Sequence, residues 1–389
     1  MSKADRSGLP TEEQLLDAAV GLFAQKWYGT VSVAEICRSA GLSNGVFYRY
    51  FENKEVLFKR ILERVLELLK TAVEGASGAG PKERLEDLEE RVLRFSAEHP
   101  DLVSVFREGQ YRYFDYERRL VALYLRALGQ ALGRGVELAE YLFALGGLRF
   151  CATQRVYNGA AIDPASILAI VEKGLFRGMD FDPELVFGGT ATPLPLPLDQ
   201  DARARLLKSG KRLFGEKGYY ETNIHDVTGA AGLSVGAFYT YFASKEVFYA
   251  EIIEMVGKQV RGFIARNLAP AAGPKPLNRL ERELRGLWLW LVYLSIDKDC
   301  YAIVREAEFV LPDAVRDYYG RFVAGYRKNP EGNAAPGSGI DDGTAIEFLL
   351  GVAHYAGIEV AFDESPVNAR AVVEAIGRYL GRGFSEYLS

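Results

Sequence analysis

The sequence predicts an all-α protein made of two consecutive copies of one subunit, each a three-helix unit followed by a larger helical region. Three observations predict it: a nineteen-residue segment occurs twice without a gap, apolar residues recur at three- and four-residue spacing through nearly the whole chain, and prolines alternate in one stretch between the repeats.

The repeat sets the organisation. Ala40–Phe58, AGLSNGVFYRYFENKEVLF, recurs as Ala231–Tyr249, AGLSVGAFYTYFASKEVFY, an offset of 191 that also aligns Leu22-Phe23 with Leu213-Phe214. Downstream, Arg107-Glu108 matches Arg305-Glu306, and Leu175-Phe-Arg-Gly178 matches Leu380-Gly-Arg-Gly383, at slightly larger offsets. Whole subunits are therefore duplicated. The domains expected are 1–55 and 199–246 for the three-helix units, 56–187 and 247–389 for the helical regions, and 188–198 for a linker. Prolines alternate in that linker, so it cannot continue a helix and favours an extended polyproline conformation. Counted from Asp180 to Asp199, about 20 residues at ~3.1 Å each would span roughly 60 Å.

Within the first copy, Thr11–Lys26 has the apolar spacing of an amphipathic helix, with Thr11 as a candidate N-cap. A short second helix starts at Ser32, turns Val33, Ile36 and Cys37 inward and breaks at Ala40-Gly41, where glycine permits a sharp turn. The third helix, Ser43–Tyr50, opens on Ser-Asn-Gly. Its first turn offers small polar groups and free backbone N–H donors, which suit close approach to a phosphate or to base edges. Asn53 caps a long fourth helix reaching about Val73. The corresponding helices of the second copy start near Asp199, Asn223, Ser234 and Ser244.

Composition narrows the function classes. With 49% hydrophobic and 25% charged residues the chain falls among soluble globular proteins, and its formal charge of −5 requires any contact with a polyanion to come from a local surface. Three cysteines, Cys37, Cys151 and Cys300, lack zinc or redox spacing and read as buried thiols in a reducing compartment. Residues 1–10 show no secretory signal, and the longest apolar run, Gly286–Leu294, is too short to cross a bilayer, so a cytoplasmic location without membrane partners is expected. No nucleophile motif, phosphate-cradling glycine loop or metal-spaced cluster is present, and only three histidines occur. No catalytic residue, metal or cofactor is expected.

The pattern Ala-Gly-Leu-Ser-x-Gly-x-Phe-Tyr-x-Tyr-Phe-x-x-Lys-Glu, present twice, resembles the signature of the tetracycline-repressor (TetR) family of transcriptional regulators. The resemblance implies that each three-helix unit is a helix-turn-helix whose third helix enters the major groove of double-stranded DNA. It implies backbone contacts from Tyr48 and Lys54, and from Tyr239 and Lys245; a phenol and an ammonium both donate to phosphate without reading sequence. Base reading falls to Asn44, Val46 and Arg49 in one copy and to Val235, Ala237 and Thr240 in the other, with Ser32, Ser43, Tyr50, Asn223, Ser234 and Tyr241 completing the DNA-binding set. Arg49 suits guanine and Asn44 adenine, whereas the second set offers mainly apolar contact to thymine methyls. The two sets differ, so the operator is expected to be non-palindromic. Phe47, Phe51, Phe238 and Phe242 are expected to pack in the core.

For the helical regions, Pro81–Met179 and Pro276–Ser389, the resemblance implies a ligand-binding and dimerisation role. Aromatic-rich cavities between helices suit a small lipophilic effector. The candidate ligand contacts are Arg107, Tyr111 and Phe150, and Arg305, Phe309 and Tyr355, with an internal ion pair the competing reading for the arginines. The dimerisation helices are Val136–Tyr157 with Ala165–Arg177, and Asp342–Phe362 with Val367–Gly383, where Gly146-Gly147 and Gly351-Val352-Ala353 would permit close approach. They would form an intramolecular pseudo-dimer or a homodimer. The function expected is a ligand-responsive repressor released from its operator by the effector. The alternative is a ligand-binding or interaction protein whose DNA binding is impaired in one or both copies.

Overall fold

A computed structural model describes residues 10–193, 201–268, 276–362 and 368–388, and every regular element among them is helical. No described helix is long and apolar enough to cross a membrane. The chain divides into two compact units, Met1–Val136 with Ala152–Ala160, and Glu137–Cys151 with Ala161–Ser389.

The first unit contains α1 (Thr11–Phe23), α2 (Val33–Ala40), α3 (Asn44–Tyr50), α4 (Lys54–Val73), α5 (Pro81–Glu98), α6 (Pro100–Arg112) and α7 (Phe114–Leu132). Pro10, not Thr11, takes the N-cap position of α1, which ends at Phe23 rather than Lys26. Ser32 and Glu35 close a capping box on α2, and Gly41, at φ 75°, turns the chain into α3 as only glycine does without strain. One stripe of α4 is buried: Leu57, Phe58, Ile61, Leu62, Val65, Leu66, Leu69 and Val73. Each such side chain contributes roughly 1.5–3 kcal/mol on leaving water. Phe58 anchors the helix-turn-helix to this stripe, edge-on to Phe23 at 5.0 Å and 4.7 Å from Tyr28.

The second unit begins with helices of the first copy: α8 (Leu138–Tyr141), a π turn over Leu142–Gly146, the start of α9 (Gly147–Asn158, assigned to the first unit from Ala152 on), α10 (Pro164–Lys173) and α11 (Pro183–Phe187). The second copy follows as α12 (Ala202–Lys217), α13 (Ile224–Ala231), α14 (Val235–Tyr241), α15 (Lys245–Asn267), α16 (Arg279–Ile296), α17 (Asp299–Val310), α18 (Pro312–Tyr326), α19 (Asp342–Phe362) and α20 (Ala369–Arg382). Asp201 caps α12; Asp199 and Val367, named as helix starts from the sequence, lie outside the described residues.

The copies meet inside this unit. A Cβ on Gly147 would stand 2.6 Å from the Phe348 ring, and one on Gly351 would stand 2.5 Å from Cβ of Phe150 and 3.0 Å from the carbonyl oxygen of Gly146. Around the crossing Phe143 packs against Phe348, Tyr379 and Phe384 at 5.6–5.7 Å. The repeated motif after α10 pairs with its own counterpart: Phe176 N–H donates to the carbonyl of Leu380 at 2.8 Å, and Phe384 N–H to that of Val171 at 2.9 Å. These bonds explain why α10 stops at Lys173 rather than Arg177. Gly174, at φ 79°, brings its backbone so near Leu380 that a Cβ would lie 2.7 Å from the carbonyl oxygen.

The extended stretch expected from Asp180 onward is not extended at its start. Pro183–Phe187 form α11, because buried Arg285 on α16 donates to the carbonyls of Leu185, Val186 and Gly188 at 3.1 Å each. Thr192 is held by Asn267 in both directions, at 2.7 and 3.1 Å. Linker residues 194–198 lie outside the described residues.

Two outcomes are expected. Gly351→Val should overpack the crossing by about 1–3 kcal/mol and lower Tm by several degrees in a thermal melt. Burial raises the Glu347 carboxyl on α19 from 4.5 to about 7, so its contribution to stability is fullest below pH 4.5 and is lost as pH rises through 7. Denaturant titrations across that range should show Glu347→Gln flattening the decline.

Candidate nucleic-acid interface and effector cavity

The two helix-turn-helix units share one geometry. Phe47 on α3 and Phe238 on α14 are fully buried, locked against Phe51 and Phe242 at 5.7 and 5.4 Å, so the opposite face of each short helix points to solvent. That face carries Tyr48, 61% exposed, and Tyr239, 56% exposed, with Asn44 and Arg49 exposed on α3 and Val235 and Thr240 on α14. Val46 and Ala237 are half-buried; Tyr50 and Tyr241 are exposed. Seven of the eleven exposed large apolar side chains among the described residues lie on α3 and α14 or in the first turns of α4 and α15: Tyr48, Tyr50, Val56, Val235, Tyr239, Tyr241 and Val247. Such clustering marks a surface that meets a partner.

Some polar candidates already have local work. The side chains of Ser32, Asn223 and Ser234 accept from backbone N–H groups as helix caps, at 3.2, 2.8 and 3.2 Å. Ser43 makes no such cap bond and is exposed. Thr240 donates to the carbonyl of Gly236 at 3.2 Å. Lys54 donates to the carbonyls of Tyr28 and Val31, both at 2.7 Å, which leaves one N–H for a phosphate. Its ammonium sits 4.2 Å over the Tyr28 ring, and Lys245 sits 4.1 Å over the Tyr219 ring. Burial pulls both lysines below the usual lysine value.

Beneath those rings lies a contact that sequence reasoning missed. The Glu108 carboxylate on α6 accepts the Tyr28 N–H at 3.1 Å, and that of Glu306 on α17 accepts the Tyr219 N–H at 2.6 Å. Each helical region thus holds the turn that carries its reading head's lysine. The recurrence of Arg107-Glu108 as Arg305-Glu306 was the available signal for the two glutamates.

Charge separates the heads. Residues 11–58 hold six acids and four bases, whereas the equivalent residues 202–249 hold four acids and seven bases. Three of the acids, Glu12, Glu13 and Asp17, stand on α1; α12 carries Arg203, Arg205 and Lys208, all exposed. Arg205 lies beside the turn into α14, 3.8 Å from where a Cβ on Gly232 would stand.

A cavity of about 540 Å³ lies among α15, α16, α17, α18 and α19. Trp290, Leu287, Phe322, Leu349 and Val352 contribute apolar walls, and Tyr301, Val304, Tyr319 and His354 line it as well. Arg305, Phe309 and Tyr355 do not line it. Helical register is the reason: α17 turns Tyr301 and Val304 inward, while Arg305 is buried with its guanidinium 5.6 Å from the Tyr301 ring centre. Tyr355 faces the bundle instead, under the Arg149 guanidinium at 4.2 Å. Phe150, fully buried, touches two wall residues from behind, Tyr319 at 5.6 Å and His354 at 5.5 Å. In the first unit Arg107 is buried with its guanidinium 5.5 Å from the Tyr111 ring centre. Among the described residues no group of three or more His, Cys, Asp or Glu could hold a metal ion.

Comparison with known proteins agrees with the local geometry. The family model for bacterial regulatory proteins of the tetR family matches residues 15–61 and again residues 206–252. YuxN of Bacillus subtilis (strain 168), described as an uncharacterized HTH-type transcriptional regulator, is 33% identical over 109 residues, which are 26% of this chain and 36% of that protein. DhaR of Mycobacterium sp. (strain GP1), an HTH-type transcriptional repressor, is 33% identical over 79 residues, 20% of this chain and 39% of its own length. The match thus spans less than half of either relative. Among solved structures, the transcriptional regulator FadR from Bacillus subtilis in complex with stearoyl-CoA is similar at 24% identity and a TM-score of 0.32, over 41% of this chain and 96% of that one.

On the DNA-reading assignment, Arg49→Ala should cost about 1–3 kcal/mol and relax sequence preference at one position, while Arg205→Ala should weaken all sequences alike and lower the salt slope by about 1. Selection from a random duplex library, followed by salt titrations, reads both. A perfect inverted repeat among the selected sites would contradict two unlike heads.

Proposed function

Since the chain belongs to the tetR family of bacterial regulatory proteins and carries that family's DNA-binding domain twice, we propose that it is a ligand-responsive repressor that reads an asymmetric operator and is released by a small lipophilic molecule. The observation that carries this reading is the pair of solvent-facing reading helices, each with an exposed tyrosine beside a half-buried lysine. In it Tyr48, Lys54, Tyr239 and Lys245 hold the phosphates, while Asn44, Val46 and Arg49, and Val235, Ala237 and Thr240, meet the base edges.

Release follows from how the second unit is connected. Helix α15 runs from Lys245 at the reading head to Arg261, Ile264 and Leu268 on the cavity wall, about 35 Å at ~1.5 Å per residue. Helix α17 contributes Tyr301 and Val304 to the same wall and Glu306 to the latch on Tyr219. A molecule that fits the cavity better when these two helices are displaced binds preferentially to a head held out of position, and its occupancy lowers DNA affinity by the same factor.

The bundle of α8–α10 against α19 and α20 gives one polypeptide the paired arrangement that separate subunits would otherwise form, at a high effective concentration. Light scattering should therefore return 43.1 kDa in solution; twice that mass would make the working species a dimer of tandem chains. Mobility shifts on a selected operator should weaken steeply as salt rises, because phosphate contacts release counterions. Failure of both heads to bind DNA at low salt would refute the reading and leave a ligand-binding or interaction protein.

A further inference from the structure

The cavity in the second unit has a charge bias that its apolar walls do not require. Its lining includes Arg261, Arg279, Arg282, Arg321 and Lys328, against a single acid, Glu283. Two of the cations are already answered: Arg279 pairs with Glu283 at 2.9 Å and donates to Asn333 at 3.0 Å, and Arg321 meets Glu254 at 3.3 Å. Arg261, Arg282 and Lys328 have no side-chain hydrogen bond or ion pair among the described residues, and Nη1 of Arg261 is buried without an acceptor. A buried guanidinium nitrogen lacking an acceptor is a standing cost that an anionic group would remove.

The first copy differs at the same places. Helices α5 and α16 begin in step, the Glu83 and Glu281 carboxylates accepting the N–H groups of Gly80 and Asn278 at 2.8 and 2.9 Å, an offset of 198 that continues through Arg107 and Arg305. That offset places Glu89 where the cavity wall has Leu287, and Glu89 is 1% exposed with neither carboxyl oxygen hydrogen-bonded. Arg84 stands for Arg282, but it donates to the Ala131 carbonyl at 2.8 Å. Leu123 stands for Arg321. On the offset of 191, Lys70 stands for Arg261, exposed and paired with Glu74 at 3.6 Å.

Building on the proposed role of the cavity as the effector site, we propose that the second copy alone senses an amphipathic anion, whose acidic head meets Arg261, Arg282 and Lys328 and whose apolar body lies on Leu287, Trp290 and Phe322. The first copy declines the same molecule: an apolar chain there meets the unpaired Glu89 carboxyl, and an acidic head finds Lys70 and Arg84, both already partnered, at the positions equivalent to Arg261 and Arg282. One effector binds per chain.

Binding is read without DNA, so the result stands or falls separately from operator release. The full chain is titrated with dodecanoate, dodecyl phosphate, dodecanol and dodecylamine below their aggregation limits, following tryptophan fluorescence in a Trp27→Phe, Trp288→Phe background so that Trp290 reports, with stoichiometry from calorimetry. Dodecanoate or dodecyl phosphate should bind at one per chain, and which binds tighter identifies a carboxylate or a phosphate head. Arg282→Gln should weaken either by about tenfold, the loss of one charge-assisted contact. Leu287→Glu, which installs the first copy's residue, should abolish binding while circular dichroism stays helical. Should that variant unfold, the two-variant comparison of Arg282→Gln with Arg261→Gln decides, since both must weaken the anion and spare dodecanol. Two molecules per chain, dodecylamine binding as well as dodecanoate, or no binding by either anion would overturn the proposal.

Discussion

The crossing at which Gly147 meets Gly351 is the constraint on which the second unit depends. Side chains at either position would hold the two backbones apart, and dispersion contacts fall away steeply with a gap of even an ångström. Because both are glycine, Phe143 and Phe150 of the first copy reach Phe348, Tyr379 and His354 of the second. Helix α19 is then enclosed along most of its described length. One side carries the crossing and another lines the cavity through Leu349, Val352 and His354, which is why the helix reads as apolar almost all round. In the proposed mechanism a displacement on the cavity side would press on the first copy's helices at this crossing, since a close-packed interior offers few intermediate positions.

The second recurring device is the sequence Glu to Tyr to Lys, found as Glu108, Tyr28 and Lys54 and again as Glu306, Tyr219 and Lys245. A carboxylate on the helical region holds a backbone N–H, the adjacent ring carries an ammonium, and that ammonium opens the helix behind the reading head. Both copies keep this trio, at an offset of 191 for the tyrosine and the lysine and 198 for the glutamate. A duplicated chain thus supplies its own comparison: what both halves keep is the frame that orients the heads, and what they change is the chemistry the heads and the cavity present.

Much of this was legible in the sequence for a physical reason. The reading helices, their phenylalanine locks and the turn at Gly41 are local features, fixed by spacing within a dozen residues. The small residues at 146–147 and 351 also pointed to a close crossing, because few other roles explain glycines inside apolar helices. Contacts between distant residues were not legible. Arg285 folds Pro183–Phe187 into a helix from 100 residues away, so a stretch that reads as the start of an extended linker is docked structure. The cavity wall escaped by a single helical step: Arg305 is adjacent to Val304, and one residue turns a side chain by about 100° around the axis. Register of that kind is set by packing partners, which a lone sequence does not name.

Divergence between the heads has a consequence for binding that neither head would have alone. In the proposed mechanism the first offers Arg49 and Asn44 for base contacts, beside a helix α1 whose three acids are paired with Arg60 and Arg64 of α4. The second has the bases of α12 but a reading helix, Val-Gly-Ala-Phe-Tyr-Thr-Tyr, with no charged side chain at all. Joined covalently, in the proposed mechanism the second would supply attraction that keeps the first near DNA, and the first the preference for a sequence. Affinity and discrimination, which in a symmetric pair must both be built into one surface, are in the proposed mechanism divided between two. The acidic total charge of the chain is compatible with the proposed DNA binding, because residues 202–249 alone hold seven bases against four acids.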